Sequence, residues 1–387
     1  MILFSAELGS GFGHVKRFLP IAEAAARAGH RPLFLVTNPE ESDAVLRAAG
    51  FEVRPPPYIG WAGRARADGV ATSYADIMGS AGFGDADLLG QAVGAWDALL
   101  DELRPRAVVT EFSPFLNLAC HGGQVPVLVV GHGFALPPPH LSAFPRLWNG
   151  APLYDEATLL AHANAVCAAR GRAGPTALPA LLAGHAHAVT GFDVLDPYRG
   201  LRRQPAVGPP ALETRLATAP PREDLFAYLV GDAPTTLAIL RVLAASGLKG
   251  RAFVRRGTDA HREALAGSEM IYLQHPAPIR DALESARVVL HHGSMLTSEE
   301  ALAAGRPQIV APFYLEHLFT ARALEGLGVA RILRPSFAPP DIARTLAVAV
   351  SDAGLANQAF RHAETLWRTA APDPELPRRL LDSVGAI

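Results

Sequence analysis

Short apolar runs alternate with amphipathic segments from the first residues of this chain. Ile2-Leu3-Phe4-Ser5 has strand length, and Phe18 to Ala28 places Phe18, Ile21, Ala22 and Ala25 on one helical face. Pro32 to Val36 reads as a second strand and Glu41 to Ala49 as a second helix. The helix Leu88 to Leu103 and the strands Ala107 to Thr110 and Val127 to Val130 extend the pattern. Such alternation predicts an α/β fold with a parallel sheet covered on both faces. Residues 54–87 and 131–153 are rich in Pro, Gly and aromatics without periodicity, and long irregular segments of this kind are usually functional. Val207-Gly208-Pro209-Pro210 and Ala219-Pro220-Pro221 then mark a linker. Beyond it the alternation restarts: strand Leu225 to Val230, helix Pro234 to Ser246, strands Ala252 to Arg255 and Met270 to Leu273, and helix Ile279 to Ala286. Residues 355–387 read as one or two helices interrupted at Pro372 and Pro374.

The most informative stretch is 292–321, with the strand run that leads into it. Arg287 to His291 is a buried-strand run that passes through Gly293 and Ser294 into a helix former, Thr297 to Ala304, closed by Gly305 with Pro307 beyond. Gln308 to Pro312 is a further strand that ends in a loop, Phe313 to His317. Open α/β sheets bind ligands at the carboxyl ends of their strands, so both loops are expected on one crevice. The first loop also feeds a helix N-terminus, where unpaired N–H groups favour a phosphate.

Length and composition narrow the classes. The 387 residues are too many for one ordinary core and predict two domains. Hydrophobic residues at 49 % against 19 % charged describe a globular chain, and a net charge of −2 offers nucleic acid no footprint. Lys16 and Lys249 are the only lysines, a bias we read as the base composition of a GC-rich genome. Cys120 and Cys167 are the only cysteines, which excludes a disulfide framework or a zinc cluster. No apolar run reaches the roughly 20 residues of a bilayer span, and Met1 enters a strand without a basic leader. A cytoplasmic protein is expected, with peripheral membrane contact left open.

The motifs resemble those of GT-B glycosyltransferases, the nucleotide-sugar-dependent superfamily, in particular bacterial macrolide-type and UDP-glycosyltransferase-like members. The C-terminal signature of that family is matched at His292, Gly293, Thr297, Glu300, Ala301, Leu302, Gly305, Pro307, Pro312 and Ala321. Gly13-His14 and, sixteen residues on, Gly29-His30 fit the N-terminal signature, and Asp196-Pro197-Tyr198 with Val207-Gly208-Pro209 resembles the end of the N-terminal domain. The departures are Ser294, Leu296, Glu316, His317 and Thr320 for Gly, Gly, Asp, Gln and Asn, and Arg17 where many members carry Pro.

The resemblance implies two Rossmann-like α/β domains facing a central cleft: an acceptor-binding domain at 1–208, a linker at 209–222, a nucleotide-sugar domain at 223–365, and a terminal helix at 366–387 crossing back to the first. It implies an inverting transfer of a sugar from a UDP or dTDP donor to a hydroxyl of a small or lipophilic acceptor, in bacterial natural-product biosynthesis. His292, Gly293, Ser294 and Thr297 would surround the donor diphosphate, Glu300 the ribose, and Glu316 and His317 the sugar. His14 would be the general base and Glu111 its acidic partner, one methylene longer than the family's Asp, so that the contact must shift or be absent. Gly11 and Gly13 would shape the cleft, and His132, Tyr74, Met78 and Trp148 would line the acceptor pocket. No metal and no cofactor beyond the sugar nucleotide are expected, and the chain would be a monomer or homodimer.

Plainer readings stand beside these. Ser294 or Thr297 would only cap a helix, His14 would only shape a loop, and Glu299 is read as a solvated helix residue. The substitutions leave room for a non-catalytic activator partner, and the architecture for a nucleotide-sugar epimerase. Gly9-x-Gly11-x-Gly13 also resembles a dinucleotide loop, but Thr37-Asn38-Pro39 stands where that motif needs an acid, which counts against a dehydrogenase.

Overall fold

The structure is a computed structural model that describes residues 1–9, 12–37, 45–57, 70–334 and 336–387. Gly11 and the first part of the helix expected from Glu41 lie outside the described residues. The chain divides into two units, Met1–Asp193 with Tyr198–Ala211 and Asp373–Ile387, and Val194–Pro197 with Leu212–Pro372.

The first unit is built on six parallel strands: β1 (Ile2–Ala6), β2 (Pro32–Val36), β3 (Glu52–Arg54), β4 (Ala107–Glu111), β5 (Val127–Gly131) and β6 (Ala186–Val189), in the order β3-β2-β1-β4-β5-β6. The central strands are buried at every position, which is why their sequences are continuous apolar runs. On one face Phe4 stacks on Phe34 at 5.0 Å and meets Phe18 edge-on at 5.5 Å, beneath the helix Phe12–Arg27. Leu376, Leu380 and Leu381 of the terminal helix Leu376–Asp382 close this layer, and the Arg106 guanidinium donates to Ala386 O at 2.9 Å. The other face packs Leu89, Val93 and Trp96 of the helix Ala86–Leu103 with Tyr74 and Met78.

The second unit repeats the topology. Its strands are β7 (Glu223–Val230), β8 (Gly250–Arg255), β9 (Met270–Leu273), β10 (Ala286–His291), β11 (Gln308–Val310) and β12 (Ala330–Ile332), in the order β12-β11-β10-β7-β8-β9. Counted from its own first strand, this is the same doubly wound order. Each sheet therefore has a point where the winding reverses, between β1 and β4 in the first and between β7 and β10 in the second. Ligands of open α/β sheets bind at the carboxyl ends of such strand pairs.

Three local expectations change. The first helix begins at Phe12, not Phe18, so Gly13 and His14 belong to its first turn rather than to a loop. Glu111 is the last residue of β4, opposite Ala6 of β1. Glu316 and His317 lie in the first turn of the helix Leu315–Gly326, because the helix starts three residues after Pro312. Among the described residues no helix is long and apolar enough to cross a membrane. Cys120 and Cys167 are buried and free.

Candidate functional site

At the reversal point of the first sheet, the end of β1 and the end of β4 are laced together. Ser113 accepts from Glu7 N at 3.0 Å and donates to Ser5 O at 2.9 Å. The Glu7 carboxylate accepts from Phe115 N and Leu116 N at 2.9 and 3.2 Å, while burial holds its carboxyl up at about 8. This lacing fixes Glu111 next to the first turn of the helix that carries His14. Nδ1 of His14 faces Glu111 Oε2 at 3.3 Å. A carboxylate there keeps the proton on Nδ1 and leaves Nε2 with the lone pair. The imidazole is 17 % exposed and Glu111 is fully buried, so the base is reachable and its partner is not.

Two neighbours shape the imidazole. Phe112, at φ 51°, lies in the left-handed region that a bulky residue rarely adopts. Its ring runs parallel to that of His14, with centroids 6.4 Å apart. Gly9 approaches the other way: a Cβ there would stand 2.5–2.8 Å from the imidazole ring. Only glycine leaves room for the ring.

Arg17 and His132 complete the cluster; the sequence marks Arg17 as a departure from the family pattern and His132 as an acceptor-pocket residue, but neither as a neighbour of the His14–Glu111 pair. Arg17 Nε faces Glu111 Oε1 at 3.5 Å, and its NH1 donates to Thr190 O and lies 3.3 Å from Thr190 Oγ1. The signal that could have found it is the spacing of His14 and Arg17, three residues apart on one helix face once the helix starts at Phe12. His132 lies beyond β5 with its ring 6.2 Å from that of His14. Burial first, then the neighbouring Arg17 and His14, push its pKa well below the usual imidazole range. One ligating atom each from His14, Glu111 and His132 lies within 4.8 Å of the others, which is within reach of a divalent cation. The guanidinium already neutralising Glu111 works against that, and we read the set as a proton-handling cluster.

At the reversal point of the second sheet, His291 ends β10 and His292 follows it. His291 Nδ1 accepts from Gly293 N at 3.0 Å and its Nε2 meets Gln308 Oε1 at 2.9 Å, so the sequence-expected loop is braced from below by a neutral ring. Burial holds this imidazole down at about 4. His292 Nδ1 donates to Ala311 O at 2.7 Å, and Nε2 lies 3.2 Å from Thr236 Oγ1, at the start of the helix after β7. Both ring nitrogens of His292 are thus engaged inside the unit, and it joins the ends of the two strands that flank the reversal.

Gly293 sits at φ 98°, and a Cβ there would meet His317 O and Val310 Cγ1 at 2.9 Å. Ser294 makes no capping bond to the ten-residue helix Met295–Ala304. Its hydroxyl donates to Thr297 Oγ1 at 3.0 Å instead, which overturns the cap reading of these two side chains. The helix N-terminus and two hydroxyls stand together in one turn, the chemistry that holds a phosphate.

Glu300, the residue expected at the ribose, is held by the backbone of its own unit. Its two oxygens accept from Glu213 N and Thr214 N, both at 2.9 Å, and the side chain is 2 % exposed. Glu299 is not solvated: it is 1 % exposed. The helix is covered on every side, with Trp367 of the helix Ala353–Thr369 donating to Ala303 O at 2.8 Å. Glu316 is half-buried, and the His317 ring packs against Phe313 and Tyr314 at 4.9 and 5.3 Å. Burial first, then the neighbouring His292, His291 and Arg255, hold His317 down at about 3.

No protein-family model matches the chain, and no curated protein matches it in sequence. Its structure is similar to those of the calicheamicin glycosyltransferase CalG4 (TM-score 0.70, 20 % identity, covering 99 % of this chain and 98 % of that one) and of the glycosyltransferase VinC in complex with dTDP (0.67, 14 %, 99 % and 99 %). It is also similar to the glycosyltransferase SnogD from Streptomyces nogalater (0.60, 18 %, 99 % and 99 %). The fold is GT-B. In that GT-B frame the His14 cluster belongs to the first Rossmann-like unit and the Gly293–Thr297 turn to the second, each at its own topological switch point.

Proposed function

We propose that this GT-B chain is an inverting glycosyltransferase that moves a sugar from a nucleoside-diphosphate donor to a hydroxyl of a small acceptor. The observation that carries the reading is the His14–Glu111 pair at 3.3 Å, at the switch point of the first sheet. His14 Nε2 takes the acceptor proton as the hydroxyl oxygen attacks the anomeric carbon, while Glu111 stabilises the imidazolium that forms. The nucleotide diphosphate leaves from the opposite face of the sugar. Its charge is met by the N-terminus of the helix Met295–Ala304 with the Ser294 and Thr297 hydroxyls, so that no metal is needed for the leaving group.

His292 and His291 act here as braces of the turn. Glu316, in the first turn of its helix, and the Phe313–Tyr314–His317 face supply the sugar contacts. VinC is a dTDP complex, which favours dTDP over UDP as the nucleotide to try first. The fold neighbours that act in calicheamicin and spinosyn chemistry favour natural-product acceptors. Glu111 in contact with His14 removes one of the reasons for a non-catalytic partner, since the longer carboxylate reaches the imidazole.

The test is a panel of dTDP- and UDP-sugars with polyketide and aromatic alcohols, read by nucleotide release and by mass spectrometry of products with and without EDTA. A glycosylated acceptor with inverted anomeric configuration in both conditions is expected. Nucleotide binding without transfer to any acceptor, or sugar isomerisation without an acceptor, would count against the reading.

A further inference from the structure

We propose that Arg17 is a positioning residue that holds the Glu111 carboxylate against His14 and so makes a glutamate serve where the resembling family carries aspartate. The inference rests on the proposed role of His14 as base and goes beyond it. Its ground is that two departures from the family pattern, Arg17 for Pro and Glu111 for Asp, are in direct contact. Glu111 Oε1 lies 3.5 Å from Arg17 Nε and Oε2 lies 3.3 Å from His14 Nδ1, one oxygen facing each as an ion pair.

The backbone of Glu111 is fixed by its register opposite Ala6, so the extra methylene must be absorbed by the side chain. A glutamate has one more torsion than an aspartate and needs a second contact to point one way. Arg17 supplies it from a guanidinium that is itself tied down: NH1 binds Thr190 O and lies 3.3 Å from Thr190 Oγ1, just beyond β6. Arg17 is 5 % exposed and Glu111 fully buried, so water does not compete for the carboxylate. The planar fork matters as well as the charge, because Nε and NH1 serve different partners.

Arg17 also sets the charge around the base. Among the described residues, Glu111 from β4, His132 from beyond β5 and the uncharged ring of Phe112 face His14, and Arg17 of the same helix faces Glu111. Burial first, then Tyr198, Glu7 and Glu111, push the Tyr74 phenol well above its usual range, so it stays uncharged. One cation and one carboxylate balance, so the groups around the two imidazoles carry no net charge. Removing the cation makes the cluster bind a proton more readily, whichever imidazole takes it.

The test uses the full chain with Arg17→Met, Arg17→Lys, Glu111→Asp and the Arg17→Met/Glu111→Asp double variant. Arg17→Met is expected to lower kcat about tenfold, as for a misplaced base partner, with the KM for the donor unchanged. The acidic limb of its pH–rate profile is expected about one pH unit higher. Arg17→Lys is expected to keep the parent limb while losing part of kcat, since charge survives and the fork does not. The double variant is expected to be less impaired than the product of the two single effects. Histidine titration by NMR, with the His14 signal assigned from His14→Gln, reads the same shift without turnover. The inference can therefore fail while the transferase reading stands, and it can be tested even if that reading fails. An unmoved acidic limb and an unmoved His14 titration in a folded Arg17→Met would overturn it, as would single effects that simply multiply.

Discussion

Replacing Glu300 by alanine separates a structural role from a donor-binding one. Each carboxylate oxygen of Glu300 accepts one backbone N–H, from Glu213 and from Thr214, at 2.9 Å. Thr214 is 1 % exposed, so its amide has no ready substitute in solvent, whereas Glu213 is half-buried and recovers part of its loss. Bonds to a charged acceptor contribute 1.5–3 kcal/mol each, so the two together stabilise the second unit by about 3 kcal/mol. For a unit of this size that corresponds to a fall in Tm of about 6–12 °C. Glu300→Gln is no rescue, because it turns one acceptor into a donor aimed at a backbone N–H. The assay pairs calorimetric unfolding with titration of dTDP and UDP into the same variant. A melt within about 1 °C of the parent together with a tenfold weaker nucleotide would refute the reasoning, since it is the signature of a ribose ligand and not of a buried brace.

Three further outcomes are expected. Gly9→Ala places a Cβ 2.5–2.8 Å from the His14 ring, which must retreat about 1 Å to reach ordinary contact, and kcat is expected to fall about a hundredfold with the fold intact; activity within twofold of the parent would contradict this. In the second unit the depressed His291 and His317, at about 4 and about 3, make stability complete above pH 6.5, and it is lost as pH falls toward those values, by at most about 1.4 kcal/mol per pH unit for each ring. Chemical denaturation that stays flat from pH 6.5 to 4.5 would refute this. Glu7, raised to about 8, has the opposite sign: its contribution is complete below pH 4.5 and is lost as pH rises through 8, so the first unit is expected to soften on the alkaline side, followed by the fluorescence of Trp96 beside it.

The parallel sheets were legible because their central strands are buried on both faces and read as unbroken apolar runs; Pro32–Val36 has the bounds the sequence predicts, and so does the partly exposed edge strand Met270–Leu273. Helix starts were harder. Gly13 looks like loop material, yet the helix absorbs it, and with the start misplaced the His14–Arg17 face was invisible. Pro312 ends a strand in the sequence, but nothing local announces that a helix follows at Leu315. Glu299, expected to be solvated, is buried, and Glu300 binds two backbone N–H groups that nothing in its own segment points to. What covers and binds them comes from distant chain, the helix Ala353–Thr369 and the amides at Glu213 and Thr214, and local periodicity carries no record of such partners. The His14–Glu111 approach follows from topology once β1 and β4 are adjacent, which the order of strands in the sequence does not state.

The most direct measurement is single-turnover transfer by His14→Ala, with sugar nucleotide binding followed in parallel. A positioned base contributes about a hundred- to ten-thousandfold, so transfer is expected to slow by that factor while donor affinity stays at the parent value. Transfer at the parent rate by a folded His14→Ala would contradict the account.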